Sequence, residues 1–126
     1  SMQVTETTAD GLKREFKVTV PATEVQKKMD VRLNELGQRI KLPGFRPGKV
    51  PLPLLKQRYG GSILGEVVEQ TVNDSSTQVM TERGLRAAGQ PQIEILSSAE
   101  GGDLEYKMAI ELIPDISPMD FSTIKL

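Results

Sequence analysis

The 126 residues include no cysteine and no histidine, and only five aromatics: Phe16, Phe45, Tyr59, Tyr106 and Phe121. Without cysteine there is neither a disulfide nor a thiolate metal site. A chain that folds without them carries no mark of an oxidising compartment, so the cytosol is expected. Without histidine or cysteine the usual groups that titrate or attack near neutral pH are missing. Ser-His-Asp chemistry is thereby excluded, and no Gly-x-Ser-x-Gly elbow occurs. The aromatics are scattered rather than gathered into the lining of a pocket. No acidic loop has the spacing of a calcium site. Glu66 and Glu69 share a helix face but read as solvated surface, with nothing nearby to shift a carboxyl pKa. No catalytic residue, metal site or cofactor is expected. No apolar run approaches the ~20 residues of a membrane span, and the start lacks the charged region plus apolar stretch of a secretory leader. Ser1 ahead of Met2 reads as a cloning remnant.

What is present suits one ordinary domain over residues 1–126: 37% apolar and 26% charged residues, well away from the composition of disorder. The formal net charge of -1 hides a partition. Between Leu36 and Gly65 stand Arg39, Lys41, Arg46, Lys49, Lys56 and Arg58 without a single acid, so the excess of acids lies entirely elsewhere. Such a block is either a solvated face or a local basic surface that concentrates an opposite-charged partner.

The hydrophobic period changes along the chain. Leu12, Phe16, Val18 and Val20 alternate with polar residues, as in a half-buried strand, and Asp10-Gly11 favours a tight turn that pairs it with residues 3–8. From Thr23 the period becomes helical, with Val25, Met29, Leu33, Leu36 and Ile40 in one stripe. Thr23 and Gln26 fit a capping box, Glu35 and Arg39 a favourable one-turn pair, and Pro43 places the helix end at Leu42. Pro51 can open a short helix that Gly60 and Gly61 stop. Ser62 then caps a longer one with Leu64, Val68, Val72, Ser75 and Val79 on one face, ended by Gly84. Alternation returns at Ile93 and Ile95, and again at Leu104, Tyr106, Met108, Ile110 and Leu112, with a turn at residues 99–102 between the two runs. Phe121 to Leu126 read as a tail or partial strand. The expected fold is α+β: a mostly antiparallel four-stranded sheet packed against two long helices and one short helix, with a loop protruding between the first two helices.

That loop, PGFRPGKVP at 43–51, surrounds one large ring with residues that build neither helix nor sheet. It is no phosphate-binding loop. Gly44 and Gly48 enclose three residues where that motif needs four, and Val50 stands where a metal-binding hydroxyl should follow Lys49. Phe45 must either fold back into the core or face a partner. Arg46 and Lys49 flank it, Arg39 and Lys41 precede it, and Lys56 and Arg58 follow. A cationic rim around an apolar anchor combines steering with a desolvated contact. RNA is a natural partner for it; three to five phosphate contacts would give a log-log salt slope of magnitude about 2–4.

GFRPGKVP at 44–51, followed by QRYG at 57–60, resembles the ribosome-binding signature of the trigger factor family, bacterial chaperones that meet nascent chains at the ribosomal tunnel exit. The resemblance runs from about Met2 to Leu126, including the ETT segment near the start, and covers the family's N-terminal domain. It implies that Gly44, Phe45, Arg46, Pro47, Gly48 and Lys49 dock on the large ribosomal subunit, touching both protein and RNA at the tunnel exit. Arg39, Lys41, Lys56 and Arg58 would form the supporting basic face. It also implies contact with nascent polypeptides and self-association as a homodimer, and no membrane partner. The family's prolyl isomerase domain and C-terminal cradle would lie past Leu126, so no isomerase activity is expected here. In the family a lysine often follows the Phe-Arg pair; Pro47 stands there instead, which implies weaker electrostatics on a stiffer loop. A generic RNA-binding module without ribosome specificity is the alternative reading.

Overall fold

Phe16, Val18 and Val20 alternate with half-buried polar residues in β2 (Lys13–Val20), which buries the apolar set against the core. A computed structural model describes residues 2–114; the expected tail at Phe121 to Leu126 lies outside the described residues. Besides β2 the elements are β1 (Gln3–Asp10), α1 (Ala22–Arg39), α2 (Leu52–Glu82), β3 (Gln92–Ser97) and β4 (Leu104–Glu111). The four strands form one antiparallel sheet in the order β1-β2-β4-β3. The β1–β2 loop is Gly11-Leu12 with Gly11 at φ 61, as a two-residue hairpin with glycine first requires. Leu12, expected on the buried face, is therefore an exposed turn residue.

The core joins Phe16, Val18 and Val20 to Leu104, Tyr106, Met108 and Ile110 of β4, under Val25, Met29 and Leu33 of α1 and Leu55, Ile63, Val67, Val72 and Val79 of α2. α2 packs against both α1 and β4. Its buried arc is accordingly wider than the expected stripe: Ile63, Val67 and Thr71 are buried, while Leu64 and Val68 are only half-buried. One polar tie crosses the core, between Ser75 Oγ and the Tyr106 hydroxyl at 2.5 Å.

The expected short helix and long helix are one. α2 runs 31 residues straight through Gly60 and Gly61. Each glycine costs about 1 kcal/mol in a helix interior, but Leu55 on one side and Ile63 and Val67 on the other are almost fully buried, each worth about 1.5–3 kcal/mol. Tertiary burial on both flanks outweighs the local break. Pro51 is the N-cap of α2 rather than its first residue. At the other end the Gly84 stop is as expected: Gly84 has φ 63, its N–H donates to Thr81 O, and Leu85 N–H donates to Met80 O at 2.9 Å.

α1 also starts and stops differently. Pro21 is its N-cap and no side chain caps it; instead the Ala22 N–H donates to Asp103 Oδ1 at 2.8 Å, from the distant β3–β4 loop. The helix ends at Arg39, because Ile40 is already extended and Leu42 is needed to open the turn that follows. Glu35 pairs with Arg32 at 3.6 Å rather than with Arg39. Finally, Ile93 and Ile95 are not core residues: the whole of β3 is exposed, since it is an edge strand that α2 does not cover. The turn between β3 and β4 forms as expected, with Gly101 at φ 82 and a Gly102 N–H to Ala99 O bond of 3.1 Å.

Candidate interaction surface at the α1–α2 loop

The loop owes its shape to two Pro-Gly pairs. Phe45 N–H donates to Leu42 O at 3.1 Å and Lys49 N–H donates to Arg46 O at 2.9 Å, closing one turn over Pro43-Gly44 and another over Pro47-Gly48. Gly44 and Gly48, third in their turns, have φ of 86 and 81. Proline second and a left-handed glycine third is the pattern of a type II turn. Neither glycine can be replaced without strain.

The two turns are pinned to the scaffold at their base. Gly48 N–H donates to Gly37 O at 3.1 Å, Val50 is buried in the core, and Leu42 and Ile40 pack partly against it. Gly37 is itself buried on α1, where a Cβ would come within 2.9 Å of Leu55 Cδ1. The close approach of α1 to α2 therefore rests on a missing side chain, and the same residue's carbonyl anchors the loop. Gly37 and Val50 were not candidates on sequence. An isolated glycine inside a helical pattern is the signal that points to such a contact.

Phe45 faces outward between the two turns, 41% exposed. Of the two readings of this ring, the structure rejects the core plug. Arg46, Pro47 and Lys49 are exposed beside it, as are Lys41 and Arg39 at the end of α1 and Arg58 in the second turn of α2. Among the described residues, none of these five cations forms an ion pair with a carboxylate. Lys56 differs: Asp30 of α1 stands 3.7 Å from its Nζ, so part of its charge is answered within the fold. The acid-free stretch of sequence is thus not acid-free in space. Glu66, the other carboxylate weighed on sequence, accepts from Arg32 Nε at 2.8 Å, and this bond raises the Arg32 pKa.

Catalytic candidates do not gather here. Among the described residues no three acidic side chains converge as metal ligands. Tyr106, pushed above its usual pKa by burial, with the Ser75 bond opposing, lies in the core away from the loop.

Fold and loop together define an α+β domain that presents a greasy tip inside a cationic rim, the build of a binding module. Residues 2–126 match the family model described as bacterial trigger factor protein (TF). The chain is 58% identical over 123 residues to the trigger factor of Rhodospirillum centenum, covering 98% of this chain and 28% of that protein. It is 54% identical over 125 residues to the trigger factor of Azospirillum brasilense, covering 99% of this chain and 28% of that protein. The chain belongs to the trigger factor family of bacterial chaperones and corresponds to its N-terminal region. It spans little more than a quarter of the length of these curated relatives. The fold is also that of a solved structure described as "Promiscuous Substrate Recognition in Folding and Assembly Activities of the Trigger Factor Chaperone", with a TM-score of 0.68 at 20% identity over 98% of this chain and 29% of that one.

Proposed function

We propose that residues 1–126 act as one ribosome-docking domain of a nascent-chain chaperone, seated beside the polypeptide tunnel exit by Gly44 to Lys49, in the cytosol and without catalysis of its own. The observation that carries this reading is the exposed Phe45 ring on two pinned Pro-Gly turns, flanked by Arg39, Lys41, Arg46, Lys49 and Arg58, none of which pairs with a carboxylate among the described residues. A preformed loop loses little entropy on docking, and an apolar ring that leaves water supplies a central contact while Arg46 and Lys49 find phosphate or carboxylate. Arg39, Lys41 and Arg58 add long-range attraction, and Lys56 adds less because of Asp30. Nascent polypeptides are the clients of this reading, and a second copy of the chain is its partner away from the ribosome.

Cosedimentation with bacterial large subunits tests it. Wild type is expected to pellet, and the combined Phe45→Ala, Arg46→Ala and Lys49→Ala chain to stay in the supernatant while keeping its circular dichroism spectrum. Equal pelleting of the two chains rejects the reading. Titration with free RNA separates ribosome docking from general RNA binding: comparable affinity for naked RNA and for intact subunits would favour the latter.

A further inference from the structure

The sheet has two edges of opposite character. β1, at one end, reads QVTETTAD and exposes no large apolar side chain. β3, at the other, reads QIEILS and exposes Ile93 at 38%, Ile95 at 43% and Leu96 at 44%. Ile93 lies opposite Met108 and Ile95 opposite Tyr106, so both isoleucines sit on the core-facing side of the sheet, where their β4 partners are fully buried. They are bare because α2 crosses β4 and stops short of β3, leaving a groove bordered by Glu69, Val72, Asn73, Pro91 and Ile93.

The devices that usually blunt an edge are few here. β3 contains no proline and no lysine, and its one irregularity falls between Ile95 and Ser97, leaving Gln92 to Ile95 regular. Among the described residues β3 pairs with β4 alone, so the outward N–H and C=O groups of every second residue lack a protein partner. An edge of this kind is completed by another extended backbone. The charge around it selects further. On the sheet face opposite Ile93 and Ile95, β3 and β4 carry Glu94, Glu105 and Glu111 against Lys107, and Lys107 is taken by Glu15 at 3.6 Å. Across the groove Glu69 has no ion-pair partner among the described residues.

We propose that the free edge of β3 accepts an extended, unfolded polypeptide segment as a fifth strand, its alternate apolar side chains resting on Ile93 and Ile95 and its basic side chains meeting the acidic surround. This deepens the chaperone reading, on which it rests for the identity of the client, but the contact itself needs no ribosome. The groove lies along the middle of α2, about 20–30 Å of helix from the docking loop at 1.5 Å per residue. An emerging chain can therefore reach it without displacing the tip.

Fluorescence anisotropy with a labelled peptide of alternating valine and threonine, flanked by lysines, tests the proposal on the chain as it stands. Binding is expected, with the amides of residues 92–97 gaining protection from hydrogen exchange. A twin peptide N-methylated at alternate amides keeps the side chains but loses donors, and is expected not to bind. Glutamates in place of the flanking lysines are expected to weaken binding. Ile93→Thr with Ile95→Thr retains β-branched residues and is expected to weaken it about tenfold, the scale of one lost isoleucine contact. Phe45→Ala should leave it unchanged, so failure of ribosome docking and failure of strand addition are read separately. Equal binding by the N-methylated twin, or by the double threonine variant, overturns the proposal. Protection of the outward-facing amides of residues 92–97 in the free chain does so too, the inward ones being already bonded to β4: a dimer in sedimentation would assign the edge to a second copy, a monomer to the chain itself.

Discussion

The Ser75–Tyr106 contact makes a directional prediction about how α2 is held to the sheet. Ser75 Oγ has one proton and donates it to Thr71 O at 2.6 Å, so the Tyr106 hydroxyl must donate to Ser75 Oγ at 2.5 Å. The two ends are therefore unequal. In Tyr106→Phe, Ser75 keeps its acceptor one turn back, and only a net hydrogen bond of about 1 kcal/mol is lost. In Ser75→Ala, a fully buried phenol keeps its proton and has nowhere to place it, a penalty of about 1–3 kcal/mol. Ser75→Ala should thus be the more damaging change, although each substitution removes a single hydroxyl. The double variant removes both partners and should cost less than the sum of the singles by about 1 kcal/mol. The chain has no tryptophan, so urea unfolding followed by far-ultraviolet circular dichroism is the suitable assay. Equal costs, or a larger cost for Tyr106→Phe, would show that the proton runs the other way and that the argument is wrong.

Gly60→Ala and Gly61→Ala should each stabilise the chain by about 0.5–1 kcal/mol, because both sit inside α2 and an added Cβ at either meets no atom within 4 Å. A lower melting temperature would contradict this. Gly48→Ala should do the opposite: its φ of +81 disfavours a side chain by about 1–2 kcal/mol. The added Cβ would also sit 2.9 Å from Gln38 Oε1. The share of correctly turned loop falls, and affinity for large subunits with it, by about tenfold; unchanged pelleting would count against a preformed tip. Arg14 donates to Glu6, with Nη2 2.9 Å from Oε1, and this bond holds the Glu6 carboxyl below the usual carboxylate value. The native state then binds fewer protons than the unfolded chain between the two pKa values. The contribution is thus present above about pH 4.3 and lost as pH falls through the folded value. Urea midpoints of wild type and Glu6→Gln should converge in acid, and a gap independent of pH would refute the link.

Much of this architecture is legible in the residues themselves. Period-two alternation over Phe16 to Val20 and Leu104 to Ile110 placed both central strands on the correct face, since burial on one side leaves no other register. The Pro-Gly pairs and the lone ring of the loop were equally plain, because turn chemistry is local. What was not legible depended on residues far apart in the chain. Gly60-Gly61 carries the local chemistry of a stop, and only the burial of Leu55, Ile63 and Val67 reveals a continuous helix. Thr23 looked like a cap, but the helix starts one residue earlier than that reading allows: Ala22 is its first residue, and the Ala22 N–H donates to Asp103, 81 positions away. Ile93 and Ile95 alternate as a buried strand should, and their exposure follows from where α2 ends its cover, which no periodicity records. At the loop, the turn residues and the lone ring could be read from the sequence, whereas Asp30 beside Lys56 and Gly37 beneath Gly48 come from packing between helices.

The unbroken run of α2 has a mechanical corollary. A rod of 31 residues is about 46 Å long, and with no joint between the loop at its head and the Gly84 stop at its foot it behaves as a lever. Tilting the seated tip by about 5° would sweep the far end through roughly 4 Å over that length. Small differences in how Phe45 is gripped would thus be magnified into the aim of everything that follows in the chain.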